Sequence, residues 1–258
     1  MALRSRSATS RASWPTRRCA VAAELNEFGQ PLGPLVAGWD GARFPEAQLL
    51  EGWGCRCEPL DPARHEASLW QAFGEDDGSL WTYLTSGPFP SRTEWQGWLA
   101  RMAAGRDPQF YAIVDAASGR ALGLASFLRI DPLAGSIEVG WLHFAPAMRR
   151  TRLATAAMAL MMARAFALGY RRYEWKCNAL NLPSRQAALR LGFTFEGIFR
   201  QARVDKERSR DTAWFSVIDS EWPALQATLA RWLDDANFDQ SGRQRLSLSA
   251  LTAALRGN

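Results

Sequence analysis

Along this chain the spacing of apolar positions changes period several times, and each change marks an element. Ile137 to Phe144 is dense in β-branched and aromatic residues, and Pro146 follows, which predicts a strand that stops there. Leu153, Ala156, Ala157, Leu160 and Met161 then recur at helical spacing and predict a helix with one apolar face. Upstream, a strand is expected near Trp53–Leu60. Asp61 caps a helix over Pro62–Phe73 with proline at its first position. Ser91 and Glu94 form a capping box for a helix to about Ala104. Strands over Gln109–Asp115 and Ala121–Ile130 flank Ala117-Ser118-Gly119-Arg120, a hairpin signal.

Downstream, Arg171–Lys176 reads as a strand with Tyr173 and Trp175 on one face. Asn181 starts a helix that runs to Leu191 and is stopped by Gly192. Phe193–Val204 and Thr212–Asp219 read as a long antiparallel pair around a polar tip, residues 205–210. Glu221–Leu233 is an amphipathic helix. No internal repeat is visible. The domain therefore spans residues 25–235, with a C-terminal tail over 236–258 that is weakly helical from Leu246. The fold class is α/β (α+β), with a mixed sheet flanked by helices.

Composition narrows the picture only in places. The 258 residues are 47% hydrophobic and 22% charged, ordinary for a soluble globular protein and ample for a core. No apolar run approaches the ~20 residues of a membrane-spanning helix. The net charge of +5 could suit nucleic acid. Basic residues cluster only at Arg149–Arg152 and Arg203–Arg210, with no interleaved aromatic stripe, so nucleic acid is not an expected partner. Residues 1–24 are rich in Ser, Arg and Ala and read as a disordered or transit-like extension. Cys55 and Cys57 are too close in sequence to bridge, and no metal-ligand spacing occurs among the four cysteines. Reduced thiols in a cytoplasmic protein are expected.

The chemistry concentrates where the strand over 137–144 meets the helix after it. Arg149, Arg150, Thr151, Arg152, Leu153, Ala154 and Thr155 form a basic turn feeding a helix N-terminus. Free backbone N–H groups, the helix dipole and guanidinium forks together suit a pyrophosphate. The order of strand, Pro146, Arg149-x-x-Arg152-x-Ala154 and helix resembles the acetyl-coenzyme A signature of the GNAT superfamily of N-acetyltransferases. Arg152 stands where that family usually has glycine. Asn181-Leu182-Pro183-Ser184, then Leu191-Gly192-Phe193 and Glu196-Gly197, resembles the branch containing the ribosomal-protein N-terminal acetyltransferases.

The resemblance covers roughly Trp53 to Leu233 and implies a largely antiparallel sheet whose central parallel strands splay apart. Acetyl-CoA is then the implied cosubstrate, with its pantetheine arm in the splay and a primary amine as acceptor. A backbone donor near Leu142, His143 and Phe144 would face the thioester oxygen. Asn181 is implied to touch the pantetheine arm and Ser184 to lie near the sulfur, as the acid. For the base, Glu138 and His143 are the titratable groups at hand. Alternation puts them on opposite faces unless a bulge intervenes. Trp81, Tyr83 and Phe89, in the aromatic segment before Ser91, are implied to wall the acceptor site. The acceptor is a protein N-terminus or a small amine such as an antibiotic or polyamine. The alternative is a non-catalytic acyl-CoA-binding module, monomeric or homodimeric like the enzyme.

Overall fold

The computed structural model describes residues 24–256. The chain divides into two compact units that meet between Trp39 and Asp40. In the first, Leu25 bridges to Pro31, and the Asn26 side chain accepts from the N–H groups of Phe28 and Gln30.

The second unit is built on a sheet of eight strands: β1 (Leu50–Gly52), β2 (Cys55–Pro59), β3 (Gln109–Asp115), β4 (Ala121–Asp131), β5 (Ser136–Phe144), β6 (Arg172–Asn178), β7 (Thr194–Asp205) and β8 (Arg208–Ile218). Their order is β1-β2-β3-β4-β5-β6-β8-β7. Only β5 and β6 pair in parallel, across the connection that contains the long helix α3, Arg152–Ala167.

Local chemistry starts the helices as the sequence predicts. Asp61 accepts from Ala63 N–H at the head of α1 (Pro62–Gly74), and Ser91 accepts from Glu94 N–H at the head of α2 (Arg92–Ala103). Thr151 caps α3, and Asn181 caps α4 (Leu182–Arg190). Gly192 ends α4 at φ 95°, and a Cβ there would sit 2.5 Å from Leu225 of α5 (Trp222–Leu233), so only glycine fits. The C-terminal segment folds back as α6 (Leu248–Arg256), which packs on α4 and α5 with Leu248 and Thr252 fully buried.

Two turns differ from expectation. The strand expected over Trp53–Leu60 is a hairpin, because Trp53 and Gly54 both take positive φ (51° and 72°) and reverse the chain. The tip of β7–β8 is only Lys206-Glu207, also at positive φ (49° and 62°), so the strands run further than the polar composition suggests.

The sheet has two unlike faces. Ile137, Val139, Tyr173, Trp175, Phe193 and Phe215 pack with α3, α5 and α6 in one core. On the other face α1 and α2 cover only part of the sheet, with Leu69, Trp95, Trp98 and Phe110 in a second, aromatic core. The part of that face left bare carries charged side chains from β5, β6 and β7. Polar side chains are what an uncovered sheet face requires.

Candidate active site

Pairing between β5 and β6 runs from Ser136↔Arg172 to Val139↔Trp175 and then ends. Beyond it β5 carries a bulge. Leu124 pairs with His143 and Ser126 with Gly140, so two β5 residues oppose one on β4. Trp141 absorbs the distortion at φ 51°, and the Ser126 hydroxyl donates to the Gly140 carbonyl. The strand thus swings away from β6. A cavity of about 170 Å³ opens in the wedge, with Glu138, Gly140, Trp141 and Leu142 on one side and Trp175, Lys176, Cys177, Asn181 and Ser184 on the other.

The bulge also returns His143 to the face that carries Glu138. The two then meet opposite environments. Glu138 is 3% exposed and lines the cavity. Its Oε2 takes Arg129 Nη1 at 2.7 Å and Lys176 Nζ at 2.9 Å. Lys176 also reaches Glu174 at 2.6 Å and lies 3.8 Å from the centroid of the Trp214 ring. Burial raises the Glu138 pKa above the ordinary carboxylate range, while Lys176 and Arg129 pull it down.

His143 is enclosed by Phe73, Trp81, Trp98 and Trp141, with ring centroids 5.3–6.3 Å away. Its Nδ1 lies 2.7 Å from the Trp141 carbonyl, so Nδ1 carries the proton. Nε2 has no partner among the described residues. Full burial pushes its pKa down to about 4. His143 does not line the cavity. The base expected at His143 is thus a neutral imidazole enclosed by aromatic rings, whereas Glu138 borders the open wedge.

Asn181 and Ser184 stand together at the wedge, on the first turn of α4. The Asn181 side chain accepts from Ser184 N–H. Ser184 Oγ accepts from Trp175 Nε1 at 3.0 Å, which leaves its own hydrogen to point elsewhere. Burial raises the neighbouring Cys177 thiol, against a lowering contact from Ser184, so it stays protonated.

The basic turn is arranged differently from expectation. Thr151 accepts from Ala154 N–H and donates to the Met148 carbonyl, fixing the start of α3. Arg150 takes φ 62° at the turn. Arg149 Nε donates to the Phe144 carbonyl, and its Nη2 pairs with Asp76. Arg152 turns away to the C-terminal corner, where it pairs with Asp235 at 2.6 Å, donates to the Leu233 carbonyl and covers the Phe238 ring. Its guanidinium therefore does not serve the turn; its backbone N–H and that of Leu153 remain at the helix head. Thr155 is buried under Arg190, which donates to its hydroxyl.

Of the aromatic wall, Tyr83 lines the cavity beside Leu84 and Thr85. Trp81 and Phe89 do not; they border a separate apolar hollow with Trp70, Phe73 and Trp95. Gly87, at φ 64°, packs flat on the Trp81 ring, where any Cβ would collide. The wall is fastened from the hairpin tip: Lys206 Nζ donates to the carbonyls of Trp81 (2.8 Å) and Gly87 (2.6 Å). Sequence reasoning missed Arg129, Lys176, Arg203, Arg210 and Lys206. For Arg203–Arg210 a signal existed, since that basic cluster is visible in the sequence but carries no motif that assigns it a ligand.

A helix head with free N–H groups, an opened parallel pair and a hydroxyl-bearing wedge suit a nucleotide-linked thioester. The comparisons agree. Residues 58–194, more than half the chain, match the acetyltransferase (GNAT) domain, and the chain belongs to that family. A GCN5-related N-acetyltransferase from Brucella melitensis is 44% identical, superposes with a TM-score of 0.82, and the match covers 84% of this chain and 99% of that one. A GNAT-family protein from Chromobacterium violaceum is 43% identical at a TM-score of 0.71, covering 76% and 98%. The ribosomal-protein-serine acetyltransferase of Escherichia coli (strain K12) is 33% identical over 101 residues. That match spans 39% of this chain and 56% of that protein's length.

Proposed function

We propose that this protein moves an acetyl group from acetyl-CoA to a primary amine by direct transfer in a ternary complex. The observation that carries the reading is the wedge between β5 and β6, with a buried carboxylate on one wall and a hydroxyl on the other.

The N–H groups of Arg152 and Leu153, at the head of α3, would hold the pyrophosphate. Asn181 and Ser184 would border the pantetheine arm. A backbone N–H between Leu142 and Phe144, on the stretch of β5 with no β6 partner, would donate to the carbonyl oxygen as charge gathers there. Acetyl-CoA supplies the activated acyl carbon. Glu138 accepts the amine proton, directly or through one water. A pKa raised by burial suits that task, because it makes the carboxylate a stronger base than an ordinary glutamate. As the new C–N bond forms and the C–S bond breaks, the Ser184 hydroxyl would pass a proton to the departing sulfur and regain one from water, while Glu138 releases the amine's proton to solvent, so each side chain ends in the charge state it began with. Tyr83, Leu84 and Thr85 would wall the acceptor. Three buried free cysteines fit a reducing compartment, the cytoplasm. Among the described residues no helix is long and apolar enough to cross a membrane.

A second reading, acyl-CoA binding without turnover, draws on one feature. The Glu138 carboxylate is already held by two cations, which must yield or shift before it takes a proton. Release of free thiol from acetyl-CoA across a panel of amines separates the two. Amine-dependent release supports the transferase; tight coenzyme A binding with no release for any amine supports the module.

A further inference from the structure

Five charged side chains line the cavity, and four are cations: Arg129, Lys176, Arg203 and Arg210, against Glu138 alone. Arg129 and Lys176 are answered locally, since Glu138 binds both and Lys176 has Glu174 as well. Arg203 and Arg210 are not. They stand near the tip of the β7–β8 hairpin and share a single carboxylate, Asp205, through Arg203 Nε at 2.7 Å and Arg210 Nη1 at 2.8 Å. Two guanidinium groups against one carboxylate leave a surplus positive charge on the cavity wall. Arg210 is also deeply set, its side chain 11% exposed, and its buried Nε–H has no acceptor among the described residues. An unanswered buried donor is costly, and a ligand oxygen would satisfy it. The hairpin is fastened through Lys206 to the segment that carries Tyr83, Leu84 and Thr85. The two arginines thus line the same cavity as the proposed acceptor wall, and none of residues 149–155 lines it.

We infer that the acceptor amine carries a carboxylate, and that Arg203 and Arg210 bind it; the amine's own role rests on the acetyl-transfer reading above. Guanidinium forks match a carboxylate in geometry and charge. A polyamine or aminoglycoside would instead bring cations against cations, so this wall selects against both. The carboxylate has two possible sources: the α-carboxylate of a free amino acid, or an acidic side chain next to a peptide N-terminus.

The test uses the full chain loaded with coenzyme A and two matched pairs of probes. Alanine against alaninamide reads the first source; Ala-Glu-amide against Ala-Gln-amide reads the second. Calorimetry should find the acid in at least one pair bound about tenfold or more tighter than its neutral partner. That preference should vanish in Arg203→Gln, an exposed position whose change should leave the melting temperature and coenzyme A affinity in place. Equal binding of acid and amide in both pairs overturns the inference. So does an Arg203→Gln variant that weakens coenzyme A as much as the acid, which would give the arginines to the cosubstrate's phosphates. Thiol release is then measured with the same probes. An acid preference in binding with no release from any probe keeps the anion subsite and sinks the transferase reading. Release with acid and amide alike keeps the transferase and sinks the subsite.

Discussion

Glu138 and His143 lie five residues apart on one strand, on one face, and they could hardly be in more different media. Around Glu138 the neighbours are charged: Arg129, Lys176 and, one step on, Glu174. Around His143 they are rings. What separates them is cover. The aromatic core under α1 and α2 ends before Glu138, and the wedge between β5 and β6 opens beside it. A strand residue's chemistry is thus set by what lies across from it and above it. Its own intrinsic pKa says little: histidine starts nearer neutrality and ends as packing, whereas glutamate starts acidic and is raised by burial.

The contrast can be broken most directly at its polar end. Glu138→Gln should lower turnover by roughly 100-fold or more, about 2.7 kcal/mol of barrier, with acetyl-CoA affinity nearly unchanged. The acidic limb of the rate should vanish with it, since the raised pKa of Glu138 places loss of activity at the pH where the carboxylate protonates. A rate profile unchanged across pH would leave deprotonation to water or the substrate.

Ser184→Ala should cost less, on the order of tenfold in turnover, because a thiolate is a tolerable leaving group and water can replace the hydroxyl. An effect confined to the Michaelis constant for acetyl-CoA would make Ser184 a binding group. Lys206→Met should raise the acceptor's Michaelis constant several-fold and spare that of acetyl-CoA, since it unfastens only the acceptor's wall. Equal changes in both constants would show that the hairpin holds the whole site.

The smallest effect on turnover is expected at the dry end. His143→Leu should alter turnover by less than about twofold, and its signature should lie in stability. In the wild-type protein the folded-state pKa of about 4 lies below the unfolded value. The folded form therefore binds fewer protons in between, and stability falls as pH drops from about 6.5 through 4, by roughly 3 kcal/mol. Urea unfolding across that window should show the loss in the wild type and a flatter curve in the variant. A large loss of turnover in His143→Leu at neutral pH, with the fold intact, would reverse the two assignments.

What the sequence disclosed follows the same division. Caps at Asp61, Ser91 and Asn181 are local chemistry, and each starts its helix where it was read. The parallel pair and its splay came through the family resemblance, and pairing does end at Val139. The turn at Trp53-Gly54 was missed, and the tip read over 205–210 is narrower, at Lys206-Glu207, because tryptophan, lysine and glutamate rarely take positive φ. The environment of His143 was unreadable because it is assembled from α1, α2 and the segment around Trp81. The direction of the Arg152 side chain was unreadable for the same reason: its partners are Leu233, Asp235 and Phe238, about eighty residues downstream. Side-chain types announce what a residue can do; long-range neighbours decide whether it does.

The fastening at Lys206 has a consequence for how this architecture can diversify. The lysine grips two main-chain carbonyls, those of Trp81 and Gly87, and no side chain of the segment between them. Residues 82–86 are therefore free to change identity while the grip persists, since every substituted residue keeps its backbone. Tyr83, Leu84 and Thr85 are the ones that meet the cavity. A lineage could retool what it acetylates by mutating five positions in an anchored strap, with β5, β6 and the head of α3 left untouched. Grafting such a strap between relatives should transplant acceptor preference with it.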